Sequence, residues 1–206
     1  MEWKLCTNMM TIGKMIILAL VTCILLVPAV SAIPPLPCEY HGQVMIDGTP
    51  APAGTVITAI VNGSVRGTMI TGTAGSLGGT GIFDNRLVVS ATEEDIALKA
   101  SPDVLFYVDG IRTDVVVLCR PGESHEVTLS VKSLKAVPSF AAKPTDPDSD
   151  GIYEDLNGNG RLDFADVVLY FNQMTWIAAN EPLTAFDLNG NSRIDFADIV
   201  ALFNEI

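Results

Sequence analysis

Two copies of one twelve-residue phrase constrain this chain more than any other feature. "DLNGNGRLDFAD" begins at Asp155, and "DLNGNSRIDFAD" begins at Asp187, thirty-two residues later. Carried on to twenty residues, the copies agree at thirteen positions. A repeat of this closeness means that one local structure is built twice. Side chains bearing oxygen fall at positions 1, 3, 5, 9 and 12: Asp155, Asn157, Asn159, Asp163 and Asp166, then Asp187, Asn189, Asn191, Asp195 and Asp198. Position 7 is Arg161 or Arg193, which can offer a backbone carbonyl, and position 6 of the first copy is Gly160. An all-oxygen set at this spacing suits a hard cation such as calcium. That ion takes six to eight oxygens at about 2.3–2.6 Å from a loop with glycine at its sharp turn.

Two positions depart from the usual EF-hand loop. Position 12 is Asp in both copies where Glu is usual, and position 6 of the second is Ser192. If that position requires a positive φ, serine costs about 1 kcal/mol relative to glycine, so the second loop is expected to be the weaker. Each loop runs into an amphipathic helix. Phe164, Val167, Val168 and Phe171 stand at i, i+3, i+4 and i+7, and Phe196, Ile199, Val200 and Phe203 repeat the spacing. No comparable helix precedes the first loop, so the unit is half an EF-hand.

Two such loops with exiting helices, about thirty residues apart, resemble a dockerin domain over Asp146 to Ile206, and their wording is especially like dockerin-type tails of exported archaeal proteins. The resemblance implies two antiparallel, calcium-loaded helices related by a pseudo-twofold. It also implies a non-enzymatic activity, docking onto a cohesin-type protein. Carried over to this sequence, the partner-binding positions are Phe164, Ala165, Leu169 and Asn172, with Phe196, Ala197, Ala201 and Asn204. Phe–Ala replaces the small hydroxylated pair common in the family, and its presence in both copies leaves binding in two orientations open. Burial of both phenylalanines in the core is the competing reading. Just upstream, Asp146, Asp148, Asp150 and Gly151 copy positions 1, 3, 5 and 6, with the Ile152 carbonyl and Glu154 following. A weaker third ion site and a solvated acidic turn are the two readings of that segment.

Ahead of the repeats the pattern is β. "GQVMI", "GTVITAIV", "RLVVSAT", "DVLFYVDG", "TDVVVLC" and "HEVTLSV" are apolar, β-branched runs separated by Gly, Pro, Asp and Asn, whereas "TGTAGSLGGTG" holds little that can pack. About seven short strands in about 100 residues suggest an antiparallel, Ig-like two-sheet sandwich. "GQVMIDGTPAPAGTVITAIVNG" loosely resembles the opening of CnaB-type or carboxypeptidase-regulatory domains. The expected layout is multi-domain: a signal peptide over 1–32, an all-β sandwich over 33–134, a linker over 135–145, and a small all-α, dockerin-type calcium-binding domain over 146–206.

The leader rests on Lys4 and Lys14, the thirteen-residue apolar run Met15 to Val27, and Val30 and Ala32 at cleavage spacing. That run is short of the roughly 18 to 20 residues that a membrane span needs. Export to the cell surface or beyond follows, with no membrane span once the leader is removed. Cys6 and Cys23 leave with it, and Cys38 and Cys119 remain as an even pair in an oxidising compartment. A bridge is expected, two buried thiols being the alternative.

The formal net charge is −12, of which −10 lies between Asp146 and Ile206. That distribution does not suggest a nucleic-acid partner, and none is expected. No catalytic motif occurs. His41 and His125 read as ordinary strand histidines, and Glu93, Glu94 and Asp95 as a solvated turn. Three function classes follow: a docking module, a carbohydrate-binding or polysaccharide-degrading assembly component using Tyr40, Phe83, Phe106 or Tyr107, and a calcium-stabilised adhesion module.

Overall fold

A computed structural model describes residues 34–206. The expected leader at 1–32 lies outside the described residues, as do Cys6 and Cys23. The β region folds as two sheets. In the first, β1 (Cys38–Ile46) is central. On one side it pairs with β9 (Ser124–Val131), and on the other with β6 (Leu87–Val89), β5 (Ser76–Gly78) and β2 (Thr49–Pro50) in turn. The second sheet runs β4 (Ser64–Ile70), β3 (Val56–Val61), β7 (Asp103–Val108), β8 (Ile111–Leu118). Three hairpins turn on Asp47–Gly48, Asn62–Gly63 and Asp109–Gly110, all six residues with positive φ. That is the Asx-Gly signature of turns whose twist matches the strands.

Alternation then decides which side chains meet. Ile57, Ala59 and Val61 face Val104, Phe106 and Val108 within the inward set, while Tyr40, Val44, Leu87, Val127 and Leu129 close the core from the other sheet. Tyr40 sits edge-on to Phe106 at 5.0 Å between ring centres. A disulfide joins Cys38, at the start of β1, to Cys119, just after β8, and so ties the two sheets together.

Three expectations need correction here. The sandwich is not wholly antiparallel: β1 and β9 run parallel from Glu39↔Ser124 to Ile46↔Val131. No hairpin joins these strands, and the chain between them crosses to the second sheet and back, which permits the parallel sense. The glycine-rich stretch contributes β5, and its Leu77 is fully buried. Glu93–Leu98 is a helix, α1, not a solvated turn. Thr92 and Asp95 form a capping box, and Asp95 is buried against Arg66 Nε at 2.7 Å.

The C-terminal part has its own core. It comprises α2 (Phe164–Asn180), a short α3 (Leu183–Phe186) and α4 (Phe196–Asn204). Leu156, Leu169, Tyr170, Ile177, Ala185, Phe186, Ile199 and Leu202 pack together, and the Tyr170 hydroxyl donates to the Phe186 carbonyl. The stretch expected to be a linker is not a free tether. Val137 is fully buried in this second core, and Leu134 touches both cores. Lys135 N–H donates to both carboxylate oxygens of the buried Glu181. The Thr184 hydroxyl donates to the Arg112 carbonyl of β8 at 2.7 Å. The prolines and small residues of this segment suggested slack, but Val137 packs into the second core and Leu134, just before the segment, is shared by both. No helix among the described residues is long and apolar enough to cross a membrane.

Candidate functional site

The two repeats form two loops of one design. In the first, Asp155 is fully buried; its Oδ1 accepts from Asn159 N–H (3.1 Å) and its Oδ2 from Gly160 N–H (2.7 Å). Asp166 closes the other end, with Oδ1 accepting from Asn157 N–H and Nδ2 and Oδ2 from Asp163 N–H. In the second, Asp187 accepts from Asn191 and Ser192 N–H at 3.0 and 2.7 Å, and Asp198 from Asn189 N–H and Nδ2 and from Asp195 N–H. Positions 4 and 6 are left-handed in both: Gly158 at φ 69° and Gly160 at 88°, Gly190 at 71° and Ser192 at 63°. Ser192 therefore occupies the conformation in which a side chain is strained.

The last four residues of each loop also start a helix. Asp163 and Asp195 are N-caps, and Asp166 and Asp198 complete capping boxes while pointing back into the loops. One set of side chains thus fixes loop, helix start and the direction of the exiting helix.

The chemistry of the donors fits a cation. Asp155, Asp166 and Asp198 are fully buried, yet no lysine or arginine pairs with them among the described residues. Arg161 and Arg193 reach only the outer oxygens of Asp163 and Asp195, at 3.3 and 3.7 Å. Burial pushes the Asp166 carboxyl up, and the nearby Asp155 and Asp163 charges add to this. Carboxylates crowded together out of water without a compensating charge are unfavourable, and a divalent ion relieves both costs.

The helices that leave the loops run antiparallel. Phe164 at the start of α2 meets Phe203 at the end of α4, and Phe171 meets Phe196, each pair at 6.4 Å in edge-to-face contact. A half-turn that exchanges the repeats exchanges these pairs. All four rings are exposed, at 60, 60, 59 and 55% for Phe164, Phe171, Phe196 and Phe203. With Val168 and Val200 they line an apolar groove floored by Val167 and Ile199.

The expected partner positions divide accordingly. Phe164, Ala165, Asn172, Phe196, Ala197 and Asn204 are exposed. Leu169 is not available: it is buried in the second core, and its counterpart Ala201 is only half-exposed. Phe171, Phe203, Val168 and Val200 are the further exposed apolar residues of these two helices. In the apolar stripe at i, i+3, i+4 and i+7, Phe164, Val168 and Phe171 lie outward while Val167 is buried in the second core, and Phe196, Val200, Phe203 and Ile199 divide in the same way. The overlooked signal was the unbroken run Val167 to Phe171, which gives α2 apolar residues on more than one side.

Upstream, one oxygen from each of Asp146, Asp148, Asp150 and Glu154 lies within 4.8 Å of the others. Glu154 is buried, and burial, with the three aspartates adding, pushes its carboxyl up to about 7. In the β region Tyr40 and Phe106 are fully buried and Tyr107 lies against the upstream loop at Gly151, so only Phe83, at 97% exposed, stands fully open. His41 and His125 are half-buried on their strands.

Residues 153–206 match the family model of the dockerin type I domain, beginning a few residues after the expected Asp146. No curated protein matches the chain. The C-terminal segment is a dockerin type I domain, a non-catalytic kind of module that in general binds calcium and docks onto cohesins.

Proposed function

We propose, taking the C-terminal dockerin domain as the premise, that this is a non-catalytic exported protein. Calcium in the Asp155 and Asp187 loops sets the angle of α2 and α4, and the groove between them seats a cohesin domain. Docking then presents the β-sandwich within an extracellular or cell-surface assembly, where most dockerin-bearing proteins work.

One observation carries this reading: four phenylalanines cross-paired on the outside of a module whose core is complete without them. A contiguous apolar patch held open by rigid helices marks a contact surface, and aromatic anchors at its centre contribute most of the binding energy. The near-twofold arrangement offers a partner the same face in two orientations. The β domain does not offer the clustered exposed rings that a sugar platform needs, which favours docking over carbohydrate binding.

The test is binding of the full chain, leader removed, to a panel of purified cohesin domains by biolayer interferometry. Binding of at least one cohesin in calcium is expected, with loss on adding chelator and in Phe164→Glu/Phe196→Glu. Binding that ignores both chelator and substitution, or retention on glycan resin with none of the cohesins bound, would overturn the reading.

A further inference from the structure

The upstream acidic loop repeats the backbone of the two dockerin loops. Ser149 and Gly151, at its positions 4 and 6, have φ of 66° and 96°, as Gly158 and Gly160 have 69° and 88°. Asp146 Oδ1 accepts from Asp150 N–H (3.2 Å) and Oδ2 from Gly151 N–H (2.8 Å), the pattern of Asp155 with Asn159 and Gly160. Asp150 Oδ1 accepts from Ile152 N–H, as Asn159 Oδ1 does from Arg161 N–H. Backbone likeness alone carries no ligand, since acidic turns adopt it freely.

Glu154 supplies the independent observation. It is only 5% exposed, one of its oxygens belongs to the acidic cluster, and its Oε2 is buried without a hydrogen-bond partner. No lysine, arginine or histidine pairs with Asp146, Asp148, Asp150 or Glu154 among the described residues. A buried carboxylate with an unpartnered oxygen, clustered with three more carboxylates, is a costly arrangement unless a cation completes it. The 4.8 Å spread also suits one ion: ligands on opposite sides of calcium, each at about 2.3–2.6 Å, stand about that far apart. Glu205, near the end of α4, adds to the negative field: burial first, then the charges of Asp150 and Asp148, push its carboxyl up.

We propose that Asp146, Asp148, Asp150 and Glu154, with the Ile152 carbonyl, form a third divalent-cation site at the junction of the sandwich and the dockerin domain. Its ligand class is a hard, oxygen-seeking ion of calcium's size. The place gives it a distinct task. A side chain added at Gly151 would meet the Tyr107 ring of β7 at 3.3 Å, and Tyr153 N–H donates to Ala185 at 2.9 Å on the helical side. The loop therefore touches both modules, and an ion within it fixes the presentation of one by the other. The site uses none of the ligands of the two dockerin loops and stands apart from the docking reading.

The experiment counts calcium bound to the full chain, leader removed, by equilibrium dialysis at 10 mM free calcium, for wild type and Glu154→Gln. The expected difference is one ion per chain, with the circular dichroism of the variant unchanged. Should Glu154→Gln fail to fold, Asp148→Asn, at an exposed position, makes the same comparison. Equal counts in wild type and a folded variant would overturn the proposal.

Discussion

Exchanging Ser192 and Gly160 tests the loop geometry at its most exposed point. Both sit in the left-handed region, at φ 63° and 88°, and both face open water, with nothing within 4 Å of a side chain built at Gly160. The Ser192 N–H, not its hydroxyl, is what Asp187 Oδ2 accepts. A non-glycine residue in this conformation costs about 1–2 kcal/mol. Glycine gives back about 0.5–1 kcal/mol through its freer unfolded chain. The net gain from Ser192→Gly is therefore about 0.5–1 kcal/mol, which is two- to five-fold in the calcium affinity of the second loop if loop closure accompanies binding. Gly160→Ser should weaken the first loop by a similar factor, and the double exchange should swap which loop is stronger. Calorimetric titration of calcium into chelator-stripped protein reads all three. Ser192→Ala serves as the control and should match wild type. An unchanged or weakened second site in Ser192→Gly, or a loss in Ser192→Ala, would refute the strain argument; the latter would make the hydroxyl the group that matters.

Three further outcomes follow from the sandwich. Reducing Cys38–Cys119 opens a loop closed over a separation of 81 residues and should lower stability by about 4 kcal/mol, read as a shift in the urea midpoint with and without reductant. The Tyr40 hydroxyl is buried without a partner and burial pushes its pKa up to about 12, so Tyr40→Phe should stabilise by about 1–3 kcal/mol at neutral pH. In wild type the folded state keeps the phenol proton after the unfolded chain has lost its own near pH 10, so stability should fall between pH 10 and 12, and fall less in the variant. The Arg66 guanidinium holds the Asp95 carboxyl well below the usual carboxylate range, against the opposing effect of burial. Its contribution is complete above pH 4 and lost as pH falls through the acid range, so Asp95→Asn should lower the urea midpoint at pH 7 and converge with wild type in acid.

How much of this was legible in sequence varied with the physics involved. The loops were legible because cation coordination demands oxygens at fixed intervals, and Asp155 and Asp187 begin identical sets. The strands were legible because burial alternates, as in Val104, Phe106 and Val108. The parallel pairing of β1 with β9 was not, since pairing sense depends on the path between strands and leaves no mark within them. The helix at Glu93–Leu98 left a mark that went unused, the capping pair Thr92 and Asp95. Whether Phe164 and Phe196 lie outside or in the core stayed open in the sequence, because periodicity shows that a face is apolar but not what covers it. The burial of Leu169 was hidden for the same reason, and Val137 shows that a segment rich in proline and small residues can still send a side chain into a core.

The central claim is that calcium in the twin loops holds α2 and α4 in the arrangement that creates the phenylalanine groove. Hydrogen exchange of the full chain, read residue by residue with calcium and with chelator, tests it most directly. The account predicts that amides of Phe164–Asn180 and Phe196–Asn204 lose protection by orders of magnitude on chelation while those of β1, β3 and β7 keep theirs. At a micromolar dissociation constant and millimolar calcium each site contributes about 4 kcal/mol, comparable to the whole stability of so small a module. Helical amides equally protected in both conditions would contradict it.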